Sequence, residues 1–324
     1  MSTFTLAELR EGQEIVYRYM KPTLAHAWPL LAERLRTRVV VKHENHTPAG
    51  AFKVRGGMTY FDALKKHHPN CRGVISATRG NHGQSVGIAA NRMGIPATIV
   101  VPLGNSVEKN AAMKALGINL IEYGNDFQAS REHAQQLSQE HQLHMVPSYH
   151  ADLVLGVASY WLEFFESVTD LQRVYVPIGM GSGICAAVQA RDALGLKVDV
   201  IGVVSSQAPA YALSFEAGRV IEAPATTKLA DGMACRTPDA DALAIIHRGV
   251  TEVVLVTDEE IADAMRIYFS DTHNVAEGAG AAPLAAAIKQ IRVGENNAQG
   301  QVIGLPLCGG NVDSNVFARV LMGN

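Results

Sequence analysis

A chain of 324 residues, 48% hydrophobic and 18% charged, is long enough to bury a large core and is neither a disordered nor a fibrous protein. Its formal net charge of −3 excludes a nucleic acid or an anionic membrane surface as the expected partner and leaves small molecules. Cys71, Cys185, Cys235 and Cys308 form no C-x-x-C pair, so neither a zinc site nor a disulfide framework is expected, and a reducing cytoplasm fits.

In chain order, Met1 to Arg10 shows no apolar run behind a basic start, and no later window of about 20 residues is free of charge and polar breaks. Neither export nor a membrane span is expected. Thr5 to Tyr19 has helical spacing with an early Glu8; Pro22 then breaks the chain, and Leu24, Leu30 and Leu31 lead towards a strand at Val39 to Lys42. His43 to Gly50 reads as a polar turn and Met58 to Lys66 as a helix.

From Gly73 the pattern repeats: strand Gly73 to Ala77, helix Gly83 to Met93, strand Ala97 to Val101, helix Val107 to Leu116, strand Asn119 to Tyr123, helix Phe127 to Glu140 and a short strand at His144 to Pro147. A second set follows, with strands at Val174 to Pro177, Asp199 to Val204, Val253 to Val256 and Gln301 to Leu305. Its helices are expected at Ile184 to Leu194, Ala210 to Glu216, Asp258 to Thr272 and Gly280 to Gln290. Such alternation predicts an α/β protein of two lobes, each an open, mainly parallel twisted sheet flanked by helices. The N-terminal helix and first strand are assigned to the second lobe, giving a large lobe of residues 1–71 plus 149–324 and a small inserted lobe of 72–148. A ligand belongs in the cleft between them, at strand C-terminal ends. The chain stops soon after its last strand and helix, so no appended regulatory domain is expected.

Four loops concentrate the chemistry. Thr47-Pro-Ala-Gly-Ala-Phe-Lys53-Val-Arg-Gly-Gly57 sets one lysine between an apolar strand and a glycine pair, where a side chain is held still yet accessible. Alone, Lys53 reads first as a solvated surface lysine. Ser76 to Gly83 leaves an apolar strand and opens a helix: Gly80 and Gly83 let backbone approach a ligand, and the helix N–H groups suit a carboxylate. Asn81 and His82 add side-chain donors, although turn chemistry and a cap would use the same residues. Val176 to Gly183 carries glycine at 179, 181 and 183, and its N–H groups with the Ser182 hydroxyl form a cradle for phosphate. The spacing is not that of a dinucleotide fold, and no acidic residue ends the next strand, Ile201 to Val204. Cys308 closes a buried strand before Gly309 and Gly310; a buried cysteine by itself is usually inert filler.

Ala51-Phe-Lys-Val-Arg-Gly56, Gly80-Asn-His-Gly-Gln84, Gly179-Met-Gly-Ser-Gly183, Ala230-Asp-Gly232, Glu277-Gly-Ala-Gly280 and Cys308-Gly-Gly-Asn311 stand in one order along the chain. Together they resemble the pyridoxal-phosphate serine/threonine dehydratases of the tryptophan-synthase β fold, fold type II, and the resemblance covers nearly the whole chain. It implies that Lys53 forms the Schiff base with pyridoxal 5'-phosphate, that Phe52 packs near the ring and that Asn81 hydrogen-bonds the ring hydroxyl. Gly179, Met180, Gly181, Ser182 and Gly183 would hold the phosphate, and Cys308 would face the pyridine nitrogen. Thr78, Arg79, Gly80, Asn81, His82 and Gly232 are the implied substrate contacts. The implied reaction is loss of water from a 3-hydroxy amino acid to give a 2-oxo acid and ammonia. The substrate amine displaces Lys53, whose freed amine removes the α-proton before the β-hydroxyl leaves. A homodimer is the expected assembly.

The chain departs from that family in two places. Before Gly-Asn-His the family carries a small residue, a serine in the racemase branch that protonates the opposite face; here it is Arg79, a poor acid or base near neutral pH. Turned outward, Arg79 is a solvated side chain. Turned inward, it offers a cation to a second carboxylate, as in 3-hydroxyaspartate, or to an aromatic face, as in 3-phenylserine. The stretch that supplies the family's divalent-cation carboxylates reads Val204-Ser-Ser-Gln-Ala-Pro-Ala210, with none, so no metal is expected. With no regulatory domain expected, a catabolic role is favoured over feedback control. Rival readings are a β-replacement enzyme, against which His82 stands where those enzymes carry threonine, an amino-acid racemase, a nucleotide-binding oxidoreductase and a catalytically silent relative.

Overall fold

Thr5 accepts the Glu8 N–H and Glu8 returns a bond to the Thr5 N–H, a reciprocal cap that starts α1 (Leu6–Tyr17) in the computed structural model, which describes residues 3–293 and 300–323. β1 (Ala25–Ala27) and α2 (Pro29–Leu35) follow where only a run of leucines was read. Three residues are too few to display a strand period, and Pro29 starts α2 in its first turn, where a missing N–H costs nothing. β2 (Arg38–His43) then leads to α3 (Lys53–His67), which begins at Lys53 rather than at the expected Met58. Gly56 and Gly57 hide the helix because glycine is a poor helix former. They are there for packing: a Cβ at Gly56 would lie 2.6 Å from the Leu153 carbonyl oxygen, and one at Gly57 2.4 Å from the Ser85 hydroxyl.

The alternating middle of the chain folds as expected into β3 (Val74–Ala77), α4 (Asn81–Met93), β4 (Ala97–Val101), α5 (Val107–Ala115), β5 (Asn119–Glu122), α6 (Phe127–Glu140) and β6 (His144–Met145). Its four strands form one parallel sheet in the order β5-β4-β3-β6. α7 (Ala151–Ser167) comes next and was missed. Every residue from Gly156 to Leu162 is buried, and the few polar residues of the helix, Asp152, Ser159, Glu163 and Glu166 among them, are spread so thinly that its period stands out only over the full 17 residues.

The remainder runs β7 (Arg173–Pro177), α8 (Ser182–Ala193), β8 (Asp199–Ser205), α9 (Ala210–Ala217), α10 (Ala240–Gly249), β9 (Glu252–Val256), α11 (Asp258–Thr272), α12 (Gly278–Val293), β10 (Val302–Leu307) and α13 (Ser314–Met322). α10 was not expected. The second sheet has the order β1-β2-β10-β7-β8-β9 and is parallel except for the short antiparallel edge β1. Helices α7 and α8 cover one face through Trp161, Phe164, Ile184 and Val188, while α11 and α12 cover the other through Met265, Tyr268 and Leu284. The loops after β2, β3, β7 and β10 all leave strand C-terminal ends, the side on which open α/β sheets bind ligands. Two mainly parallel sheets flanked by helices are the architecture expected of fold type II.

Candidate active site

The turn before α3 is built to hold one side chain. The Thr47 hydroxyl donates to the Ala51 carbonyl at 2.7 Å and accepts the Ala51 N–H at 3.0 Å, while Gly50 takes a left-handed φ of +63° that disfavours a side chain. The Phe52 N–H donates to the Cys308 carbonyl at 3.0 Å, tying this turn to the end of β10. Lys53 is therefore the first residue of α3, next to Cys308. Two residues on, the buried Arg55 guanidinium bonds Glu44 at 2.8 Å and Glu163 at 2.6 Å, and Glu163 also holds the buried Lys42 at 2.5 Å. These pairs anchor the first turn of α3 in the core.

The Lys53 amine has no hydrogen-bond or ion-pair partner among the described residues and stands 5.0 Å from the Phe52 ring centroid. It borders a cavity of about 120 Å³. Burial lowers its pKa, with Cys308 and Glu277 opposing, which favours the neutral amine a nucleophile or base needs.

Thr78 and Gly80 shape the second loop, the Thr78 hydroxyl accepting the Gly80 N–H at 3.1 Å. α4 opens on Gly80 without a side-chain cap, so the donors of its first turn are free for an anion. Arg79 is exposed at the cavity wall and has no ion-pair or hydrogen-bond partner among the described residues. His82 is buried, its ring tied to the Pro147 carbonyl while Nε2 has no partner; burial, then the charge of Lys53, pushes its pKa down to about 3. The imidazole is neutral.

In the third loop a Cβ at Gly179 would lie 2.3 Å from the Gly232 carbonyl oxygen, so the glycine turn and the Ala230-Asp-Gly232 turn pack backbone to backbone. Gly181 has φ of +104°, and the Tyr211 hydroxyl fixes the loop by donating to the Met180 carbonyl at 2.9 Å. No side chain caps α8 either, which leaves the N–H groups beginning at Ser182 for a phosphate. Trp161 Nε1 donates to the Gly183 carbonyl at 3.0 Å, and Phe52 lies 3.6 Å from where a Gly183 Cβ would stand. Cys308 is buried, and burial raises its pKa, so the thiol is protonated.

Of the residues expected at the site, Lys53, Thr78, Arg79, Gly80, Asn81 and His82 border the cavity from one side. Gly179, Met180 and Gly232 border it from the other. Phe52, Gly181, Ser182, Gly183 and Cys308 are not on its wall but stand in the loops that form it. Sequence reading missed four polar groups. Lys109 of α5 reaches Asp231 at 2.6 Å and Glu277 at 3.8 Å, and both Lys109 and Asp231 border the cavity. Glu277 accepts from Asn81 Nδ2 at 2.7 Å, and Asn311 Nδ2 donates to Asn81 Oδ1 at 2.9 Å. Asp231, Glu277 and Asn311 stood inside motifs quoted above, whereas Lys109 sits in a helix with nothing local to mark it. Among the described residues no group of three or more His, Cys, Asp or Glu side chains is placed to hold a metal ion.

Pyridoxal phosphate fits this set. The desolvated Lys53 amine suits its aldehyde, the uncapped start of α8 its phosphate, and Asn81 and Cys308 its two polar ring positions. Residues 16–309 match the family model for pyridoxal-phosphate dependent enzymes. The L-threonine ammonia-lyase of Thermotoga maritima is 31% identical over 318 residues, covering 98% of this chain and 78% of that protein. The L-threo-3-hydroxyaspartate ammonia-lyase of Saccharomyces cerevisiae is 27% identical, covering 98% and 97%. Maize serine racemase is a structural match with a TM-score of 0.91 at 25% identity, over 99% of this chain and 98% of that one. With a fitting site and a family match that spans most of its length, the chain belongs to the pyridoxal-phosphate dependent enzymes.

Proposed function

We propose that the chain is an ammonia-lyase that converts a 3-hydroxy amino acid to a 2-oxo acid and ammonia, with Lys53 as its catalytic base. One observation carries the reading: a half-buried amine with no hydrogen-bond or ion-pair partner among the described residues borders a cavity that two uncapped helix N-termini, those of α4 and α8, also approach. Bound pyridoxal phosphate draws electrons from the substrate α-carbon and makes its C–H acidic. The backbone N–H groups at the start of α4 hold the substrate carboxylate, and those at the start of α8, with Ser182, hold the cofactor phosphate. Neutral Lys53 takes the α-proton, after which the β-hydroxyl leaves with a proton as water. The unsaturated amine then reacts with water to give the 2-oxo acid and ammonia. Cys308, a protonated thiol, would offer the cofactor's ring nitrogen no anion, which favours prompt loss of the β-hydroxyl over transamination.

Arg79 gives the finer reading. A cation without a partner at the cavity wall favours substrates with a second carboxylate or an aryl group on the β-carbon over serine and threonine. A guanidinium in that position also disfavours racemisation, for it neither takes nor gives a proton near neutral pH. The lobe division at 1–71 plus 149–324 and 72–148 is supported by the separate sheet of β3 to β6. Four unbonded cysteines favour a cytoplasmic enzyme, and exposed Leu24 and Leu30 beside the edge strand β1 favour a homodimer, which light scattering would read. Among the described residues no helix is long and apolar enough to cross a membrane.

Lys53→Ala is expected to lose both the visible absorbance of bound cofactor and 2-oxo acid release; retention of either rejects the assignment. For Arg79→Ala, kcat/KM is compared across serine, threonine, 3-hydroxyaspartate and 3-phenylserine. The two larger substrates are expected to lose about tenfold relative to serine, and an unchanged ranking rejects Arg79 as the selecting residue.

A further inference from the structure

We propose that Glu277 is a positioning residue that holds the Asn81 side-chain amide in one orientation, with a single N–H left over to donate to the ring oxygen of pyridoxal phosphate. A free carboxamide can present either its oxygen or its nitrogen to a ligand. Here both ends are tied. Asn81 Nδ2 donates to Glu277 Oε1 at 2.7 Å, and Asn81 Oδ1 accepts from Asn311 Nδ2 at 2.9 Å. The Asn311 amide has an independent reference, because its Nδ2 also donates to the Ala49 carbonyl at 2.8 Å, and a backbone carbonyl does not flip. Turning Asn81 over would set its oxygen against the Glu277 carboxylate and its nitrogen against the Asn311 nitrogen, opposing like partners at both ends.

Glu277 can act only as an acceptor if it is ionised, and its surroundings bear on that. It is 3% exposed, Oε2 has no hydrogen-bond partner, and Lys109 Nζ lies 3.8 Å from that oxygen. Burial raises its pKa to about 7 against the pull of Lys109, and Asp231 adds to the rise. Lys109 remains protonated because Glu277 and Asp231 outweigh its own desolvation. The local backbone makes room for the carboxylate: a Cβ at Gly309 would lie 2.2 Å from Glu277 Oε1, and the Glu277 N–H donates to the Gly309 carbonyl at 3.1 Å. With the amide fixed in this way, Asn81 meets the cofactor as a donor, the form that stabilises an oxyanion on the ring.

The inference rests on the cofactor assignment, so the two are tested apart. Borohydride reduction of the holoenzyme followed by peptide mass analysis asks whether the cofactor is attached to Lys53; attachment elsewhere removes the assignment and the inference together. Given attachment at Lys53, cofactor affinity and the visible band of the bound cofactor are measured for Glu277→Ala, Glu277→Gln and Asn311→Ala. Glutamine keeps an acceptor oxygen for Asn81, whereas alanine does not. Glu277→Ala is expected to weaken cofactor affinity about tenfold and move the band, Asn311→Ala to move it in the same direction, and Glu277→Gln to remain within about twofold of wild type. Wild-type affinity and spectrum in Glu277→Ala overturn the proposal, as does equal impairment of Glu277→Ala and Glu277→Gln. If Glu277→Ala does not fold, an unshifted band in Asn311→Ala overturns it.

Discussion

What suits Lys53 to its proposed role is what is withheld from it. The amine is half-buried at the cavity wall with no ion-pair partner among the described residues, and desolvation lowers its pKa, while the buried charges nearby are spent on one another around Arg55 and Lys109. Gly179 illustrates how little room the cradle leaves. Its missing Cβ would stand 2.3 Å from a backbone oxygen, and backbone cannot swing aside as a side-chain tip can. Gly179→Ala is therefore expected to displace the loop, a strain of about 1–3 kcal/mol that weakens cofactor affinity about ten- to a hundredfold in a fluorescence titration. Affinity within twofold of wild type would show that the Gly232 turn yields instead.

At the level of elements, α3 is the piece on which the site depends. Its first residue is Lys53, its third is Arg55, and its glycines let α7 and α4 approach closely. Gly156 on α7 completes the close packing, since a Cβ there would lie 2.2 Å from the Arg55 carbonyl oxygen. Arg55 faces the buried carboxylates of Glu44 and Glu163, so Arg55→Met would leave both without a guanidinium. Breaking a buried pair from one side costs about 3–5 kcal/mol, and equilibrium denaturation of the variant is expected to show a loss of that order. A change below 1 kcal/mol would mean that the network is not holding the helix. The sequence marked Lys53 by its neighbours but mis-set the start of α3, because the glycines that lower helix propensity are the ones the packing requires.

For the molecule as a whole, acid sensitivity is expected from histidines that are buried neutral. Trp28 Nε1 donates to His43 Nε2 at 3.0 Å, which requires that nitrogen to be unprotonated; burial, with His46 and His26 nearby, pushes the His43 pKa down to about 4. A depressed histidine pKa means that the unfolded chain binds more protons between about 6.5 and 4, so stability present above pH 6.5 is lost as pH falls through that window. His82, lowered to about 3, acts in the same sense, whereas Glu277, raised to about 7, acts in the opposite one between its unfolded value near 4.5 and 7. His43→Gln keeps an acceptor for Trp28 and cannot titrate. Between pH 7.5 and 5 it is expected to lose roughly 2 kcal/mol less stability than wild type in denaturant titrations at the two pH values. Equal losses would mean that the fold does not depress the His43 pKa.

The sequence by itself determined the alternation of strands and helices, the four ligand-facing loops and the identity of the lysine. Each of these is local: a period of two or 3.6 residues, or a glycine spacing beside an apolar run, is complete within about a dozen positions. Tertiary structure alone decided how α7 packs, since its polar Ser159 and Glu163 face Arg55 instead of water, and which polar groups support the site. Asn81 meets Glu277 across 196 positions and Asn311 across 230, and Lys109 meets Asp231 across 122. No local spacing encodes such pairs. They exist because parallel strands bring their C-terminal ends to one side of each sheet, and the fold then sets those ends against each other around Lys53.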